Sequence, residues 1–280
     1  MENNSFLKRL RKGMVSRLQS VFDNPYKKVN INWFYEKYYK HLSAGKIRSH
    51  KVFGKDFFFC SPQEFLHGLK EIFVEELYKQ ELNGKSYIID CGANMGMSII
   101  YLKRLCPDAE IIGFEPDETN FDLLTRNIGS YGFKDITIKK EAVWKEDTVL
   151  HFSNAGSMSS KIVHASTGTS LEVKAIRLKT FLTRPVDFLK MDIEGAEFEV
   201  IMDAAESLFH VKNLFIEYHG CFDQQKELST LLNMLSGKGF NYYIKEAASV
   251  YDHPFSRVRN PIIPYDIQLN IFCFRSGGTQ

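Results

Sequence analysis

The sequence predicts an α/β fold, a mostly parallel sheet flanked by helices, and three observations carry that expectation. From residue 86 onward, short apolar β-branched runs alternate with longer stretches of helical periodicity, the pattern of strands joined through helices. The first of these runs ends in a glycine-rich turn, IIDCGANMG at residues 88–96, which can carry a strand directly into a helix. Acidic residues stand at or just behind the ends of apolar runs, at Asp90, Glu115, Asp192 and Glu217. In open parallel sheets that edge is where ligands bind.

Composition sets the bounds. The 280 residues are 44% hydrophobic and 25% charged, with 23 Phe and 13 Tyr, so a large core is expected and global disorder is not. A formal net charge of +2 gives no reason to expect nucleic acid as a partner. No apolar run approaches the length of a membrane-spanning helix, and the basic first residues lack the apolar block of a secretory signal. The five cysteines, at 60, 91, 106, 221 and 273, form no CxxC and no close pair. They read as thiols in a reducing cytoplasm, the expected location, rather than as a disulfide framework or a zinc site.

Residues 1–80 read as an accessory region and residues 81–280 as the main domain. Near the start, Phe6, Leu7, Leu10, Met14, Leu18 and Val21 recur at helical spacing among Lys8, Arg9, Arg11, Lys12 and Arg17. Such a helix could pack on its own domain, join a second copy in a homodimer, or make peripheral contact with an anionic membrane. KIRSHKVFGKDFFFC predicts a hairpin with Gly54 near its turn. SPQEFLHGLKEIFVEELYKQEL predicts a helix, with a capping box at Ser61 and Glu64, Pro62 in its first turn and Gly84 beyond its end. Its apolar face is Phe65, Leu66, Leu69, Ile72, Phe73 and Leu77.

In the main domain SYIID is the first strand and SIIYLKRLC its helix; EIIGFE and DETNFDLLTRNIGSYG repeat the unit. ITIKKEAV supplies a third strand. Residues 148–182 add short strands and a polar loop containing His164. VDFLKMD and GAEFEVIMDAAESLF form the next pair, followed by VKNLFIEYH, the helix QQKELSTLLNMLSGKG, and the late strands NYYIKE and IQLNIFCF.

The turn after the first strand reads Asp-x-Gly-x-Asn-x-Gly over Asp90, Gly92, Asn94 and Gly96, with Ala93 inside it, rather than the GxGxxG of a dinucleotide site. Glycine permits a tight turn and close approach of a ligand to backbone N–H groups. Asp90 can accept a hydrogen bond from a ligand ammonium, and Glu115 can receive both hydroxyls of a ribose. An amino-acid end beside Asp90 and a ribose at Glu115 describe S-adenosyl-L-methionine better than NAD. Glu141, after the third strand, is the candidate contact near the adenine.

VDFLKMDIEGAEFEV gathers Asp192, Glu194 and Glu197 behind one strand. Asp192 is the candidate for contact with the reacting end of the cofactor or with substrate. Glu194 and Glu197 are expected to begin the next helix, where unsatisfied backbone donors favour negative charge. Lys190 shares a strand face with Asp192 and could orient it or polarise a substrate hydroxyl. His219 could take a proton from that hydroxyl, with Glu217 fixing its tautomer or binding substrate. Asp192, Glu217 and His219 could also gather a hard divalent ion. No metal-ligand motif is present, however, and each of the three has another role, so no metal is assigned.

IIDCGANMG, GFEP and VDFLKMDIEGAE together resemble the FkbM family of S-adenosylmethionine-dependent methyltransferases, the third segment most distinctively. The resemblance implies a class I Rossmann-like methyltransferase with a seven-stranded sheet, one late strand antiparallel. It also implies cofactor binding by the 92–96 turn and Glu115, and usually methylation of a hydroxyl on a sugar, glycan precursor or natural product. The alternatives are N-methylation and a noncatalytic cofactor-binding or scaffold role.

Overall fold

The computed structural model describes residues 25–153, 170–257 and 264–275. The basic helix expected over residues 6–21, with its partner or membrane contacts, and the polar stretch around His164 lie outside the described residues.

After a 3₁₀ turn at Pro25–Val29, α1 (Trp33–Lys40) begins behind Asn32, whose side chain accepts the Tyr35 N–H. β1 (Arg48–Val52) and β2 (Lys55–Phe59) form the expected hairpin, turning through Phe53 and Gly54, both at positive φ. That backbone matches the twist of the flanking strands. α2 (Pro62–Gly68) is capped by Ser61, which accepts the Glu64 N–H. The helix expected to continue through residue 82 instead stops at Gly68 and passes into one π-helical segment, Leu69–Val74. Leu69 and Phe73, four residues apart, lie in the same buried cluster. Glu76 then adopts a left-handed conformation, which ends the helical face before Leu77.

The main domain follows with β3 (Tyr87–Cys91), α3 (Met97–Leu105), β4 (Glu110–Phe114), α4 (Glu118–Tyr131), β5 (Ile136–Lys139), β6 (Ala142–Trp144), β7 (Thr148–Ser153) and β8 (Ser170–Arg177). It continues with β9 (Val186–Met191), α5 (Glu197–Ala204), β10 (Val211–Gly220), α6 (Gln225–Gly237), β11 (Phe240–Glu246) and β12 (Ile267–Arg275). The sheet order is β11-β12-β10-β9-β3-β4-β5. Its neighbours pair in parallel except β12, which runs antiparallel to both β10 and β11. This is the class I Rossmann-like methyltransferase architecture. The run expected as one third strand is divided: β5 edges the main sheet, and β6 joins a separate sheet of order β6-β8-β7. The charged residues between them turn the chain outward, with Lys140 pairing with Glu118 at 2.8 Å.

Strand residues alternate between two cores, Ile88, Phe188 and Phe215 on one face and Ile89, Leu189 and Leu214 on the other. The first core also takes in Tyr39, Phe57, Phe59, Phe65 and Leu69, so the accessory region shares a core with the sheet. Asn127, fully buried on α4, ties them further. Its Oδ1 accepts the Phe58 N–H at 2.6 Å, and its Nδ2 donates to the carbonyls of Phe58 at 2.9 Å and Met95 at 2.8 Å. Among the described residues no helix is long and apolar enough to cross a membrane.

Candidate active site

β3 and β4 end side by side, Cys91 opposite Phe114, so the glycine turn and Glu115 leave the sheet together. Every amide of the turn is engaged inside the protein. Gly92 and Ala93 donate to the Phe114 carbonyl at 3.0 and 2.8 Å, and Gly96 donates to the Ala93 carbonyl at 2.8 Å. Asn94 donates to Glu115 Oε2 at 2.7 Å, and Met95 to Asn94 Oδ1 at 2.6 Å. The expected opening of backbone N–H groups to a ligand is therefore corrected, and a pyrophosphate cradle of the dinucleotide type does not form here. Glycine serves close packing instead. A Cβ on Gly92, at φ +84°, would lie 1.8 Å from the Asp192 carbonyl oxygen, and one on Gly96 would lie 2.8 Å from Leu124.

Beside the turn stands Glu115, which is 6% exposed. Its Oε1 accepts the Asp117 N–H at 3.0 Å and its Oε2 accepts that of Asn94. Each oxygen retains a second acceptor position, which fits a ligand presenting paired hydroxyls, as the ribose of S-adenosylmethionine does. Burial pushes its carboxyl up to about 7, against the two amide bonds. Glu141, just beyond β5, is engaged by Lys174 at 2.5 Å and Lys139 at 3.6 Å.

Asp90 and Lys190 are register partners across β3 and β9. Asp90 has no exposed surface; Ser98 Oγ donates to its Oδ2, and the Lys190 ammonium stands 3.3 Å from its Oδ1. The same ammonium donates to the Gly92 carbonyl at 2.8 Å and lies 3.2 Å from Asp192 Oδ2. Burial opposes the charge on Lys190, but the fields of Asp192 and Asp90 outweigh it and hold its pKa well above the ordinary value. An ammonium does meet Asp90, and it is the protein's own. With its side chain 3% exposed, Lys190 orients Asp192; Asp192, 25% exposed, is the member of the trio that a ligand can reach.

His219, on β10, has a side chain only 2% exposed. Its Nδ1 donates to Glu197 Oε1 at 3.2 Å, and the Glu197 carboxylate also accepts the Ile193 and Gly195 N–H groups. Its Nε2 faces Glu217 Oε1 at 3.7 Å and Glu194 Oε2 at 3.8 Å, both too far for hydrogen bonds. Burial works against the imidazolium, yet Glu197, Glu194 and Asp192 raise its pKa to about 10. Two expectations change here. The partner on Nδ1 is Glu197 rather than Glu217, and a histidine already holding its proton at neutral pH is a poor proton acceptor. Burial, then Asp192, pushes Glu217 up to about 8. Burial likewise raises Glu194 to about 7, but its 42% exposure, against 24% for Glu217, lets solvent damp its neighbours more.

Glu194 does not begin the helix as expected. α5 starts at Glu197, whereas Glu194 sits in a left-handed turn at φ 57°. The Tyr265 hydroxyl donates to the Glu194 carbonyl at 2.6 Å, and the Tyr265 ring lies 4.7 Å from that of His219. Tyr265 had no signal in the sequence. Glu71 had none either. It comes from the π-helical segment; burial raises its carboxyl, with His67 opposing and with Glu75 and Asp192 adding to the rise.

Comparison with known proteins finds methyltransferases. The methyltransferase FkbM domain model matches residues 90–242. Methyltransferase 1 of Beauveria bassiana (strain ARSEF 2860) is 27% identical over 205 residues, 63% of this chain and 80% of that protein. Methyltransferase sdnD of Sordaria araneosa is 27% identical over 187 residues, 53% of this chain and 72% of that protein. The crystal structure of methyltransferase FkbM from Methylobacillus flagellatus KT is similar with a TM-score of 0.47 at 19% identity, over 73% of this chain. This chain spans 47% of that one. The family match covers more than half of the chain and takes in the glycine turn, Glu115, Lys190, the acidic segment and the β10 rim. The chain belongs to the FkbM methyltransferase family, whose methyl donor is S-adenosyl-L-methionine.

Proposed function

We propose that the methyl acceptor is a hydroxyl oxygen on a small molecule, either a sugar or glycan precursor or another hydroxylated metabolite. The observation that supports this most is the convergence of Asp192, Glu194 and Glu217 around the buried His219 at the strand ends. An alcohol loses its proton as its oxygen attacks a methyl group, so such a site must offer a proton acceptor and needs no nucleophile of its own. Glu217, partly exposed and free of a hydrogen bond to His219, suits that proton once it is ionised, which places its use as a base at and above about pH 8. Asp192, fixed by Lys190, orients the hydroxyl for in-line attack. Bound S-adenosylmethionine supplies an electrophilic methyl on a sulfonium sulfur. In this reading Glu115 holds its ribose, Gly92, Ala93, Asn94 and Gly96 line its amino-acid end, Glu141 lies near its adenine, and Asp90 acts through Lys190. The products are a methyl ether, S-adenosylhomocysteine and a proton held by the carboxylate.

The test is transfer of a labelled methyl group to a library of sugars, hydroxylated metabolites and amines. Label on oxygen supports the reading; label only on nitrogen replaces it with N-methylation. On the acceptor so found, Asp192→Asn should lower kcat/KM by roughly a hundredfold while cofactor affinity barely changes. Normal turnover by the folded variant would remove Asp192 from the reaction.

A further inference from the structure

We infer that Asp192, Glu194 and His219 form a binding site for one divalent cation of the Mn²⁺ class. The three residues present donor atoms that all lie within 4.8 Å of one another, and His219 Nε2 is 3.8 Å from Glu194 Oε2. Donors bound to one ion at about 2.1 Å stand roughly 3–4.2 Å apart, so side-chain rotation has to close the set by roughly 0.6–1.8 Å at its widest.

The histidine is the independent observation. Its imidazole is 2% exposed, yet Nε2 points at two carboxylates with neither close enough to accept a hydrogen bond, and a bound cation would take the place of the Nε2 proton, which is released on binding. The other nitrogen is committed to Glu197, itself held by two backbone amides. A carboxylate behind the far ring nitrogen is the arrangement that orients metal-binding histidines. Asp192 is likewise half engaged: Lys190 meets its Oδ2, and its Oδ1 has no protein partner among the described residues. Charge points the same way. Asp90, Asp192, Glu194, Glu197 and Glu217 face one lysine and one histidine.

The donor chemistry selects the ion. Carboxylates favour Mg²⁺, Ca²⁺ and Mn²⁺, and an imidazole among them shifts the preference toward Mn²⁺. Glu217 lies beside this set, and the charge of the cation would favour its ionised, proton-accepting form. A cation here would hold the acceptor oxygen and lower the pKa of its hydroxyl. That catalytic use rests on the hydroxyl reading above, whereas binding of the ion does not.

The experiment therefore uses no acceptor. The full chain is stripped with chelator and titrated with Mn²⁺, and the paramagnetic resonance signal of the free ion is followed. One Mn²⁺ should bind per chain. Glu194→Gln, an exposed position outside any helix, should weaken binding at least about tenfold, and Glu197→Gln should weaken it roughly 10–100-fold. In the unaltered protein, bound Mn²⁺ should broaden the His219 imidazole resonances, a readout that requires no variant to fold. No binding up to about 1 mM Mn²⁺, unbroadened His219 resonances with Mn²⁺ bound, or undiminished affinity in Glu194→Gln would each overturn the site. Mn²⁺ binding in a protein that methylates only amines would overturn the hydroxyl reading and leave the site standing.

Discussion

Lys190→Met removes the ammonium that joins Asp90, Asp192 and the Gly92 carbonyl and replaces it with an uncharged side chain of similar length. Asp90 is then left fully buried, with only the Ser98 hydroxyl as a side-chain donor. Breaking a buried pair by deleting one partner costs roughly 3–5 kcal/mol, against about 1 kcal/mol or less for an exposed pair. At roughly 2 cal/mol/K per residue, a chain of 280 residues unfolds with an entropy near 0.6 kcal/mol/K. A loss of about 4 kcal/mol therefore lowers Tm by about 7 °C. Asp90→Asn combined with Lys190→Met removes the orphaned charge and should recover about half of that loss. Calorimetric melting of the single and double variants measures both effects, with S-adenosylhomocysteine affinity measured alongside. A Lys190→Met protein melting within about 2 °C of the unaltered chain, or a double variant no more stable than the single, refutes the dependence of Asp90 on Lys190. If Asp90 instead met the ligand directly, Asp90→Asn would abolish binding with little change in Tm.

Glu115 links cofactor binding to pH. Burial raises its carboxyl from 4.5 to about 7, so between those values the folded protein holds a proton that the unfolded chain has released. Its contribution to stability is therefore full below about 4.5 and declines as pH rises through about 7. S-adenosylhomocysteine affinity should rise over the same interval as the carboxylate forms, and Glu115→Ala should weaken it by roughly 1.5–3 kcal/mol at about pH 8. Equal affinity on both sides of that interval counts against the ribose role. Gly92→Ala should cost at least about 3 kcal/mol, because its Cβ meets the Asp192 carbonyl. Gly45→Ala, at φ +95° with open space around it, should cost only about 1–2 kcal/mol. Equal losses in urea denaturation would show that backbone strain, and not the contact, decides. Asn127→Leu leaves the Phe58 and Met95 backbone groups without their side-chain partner and should cost about 3 kcal/mol in the same assay; a loss below about 1 kcal/mol would mean that water replaces the amide.

The parts of this protein that could be read ahead are those whose signals are local. Asp117 and Gly132 bracket α4 as cap and left-handed exit, and apolar alternation marks β3, β4, β9 and β10. Position along a strand was enough to bring Asp192, Glu217 and His219 to one rim. What failed depends on contacts distant in sequence. The continuation beyond Gly68 keeps an apolar rhythm that a straight helix would share, and that rhythm does not announce the wider turn over Leu69–Val74. Glu197 at a helix start looks like any carboxylate favoured by the helix dipole; its bond to His219 spans 22 positions. The amides of the glycine turn could not be counted as engaged before Phe114 and Glu115 were seen to accept them.

The reversed strand has a consequence for how the enzyme is made. β11 precedes β12 in the chain yet touches the sheet only through it. On a ribosome adding roughly 5–20 residues per second, β11 emerges with nothing to pair with. Meanwhile β10 presents a bare edge over residues 213–220 until Ile267–Arg275 arrive. Open edges of this kind template pairing with other chains. That bare edge includes Glu217 and His219, which receive Asn270 and Gln268 as neighbours only when β12 slides in. The growing chain thus passes through a stage in which an open strand edge lies beside Glu217 and His219, and the docking of β12 closes it.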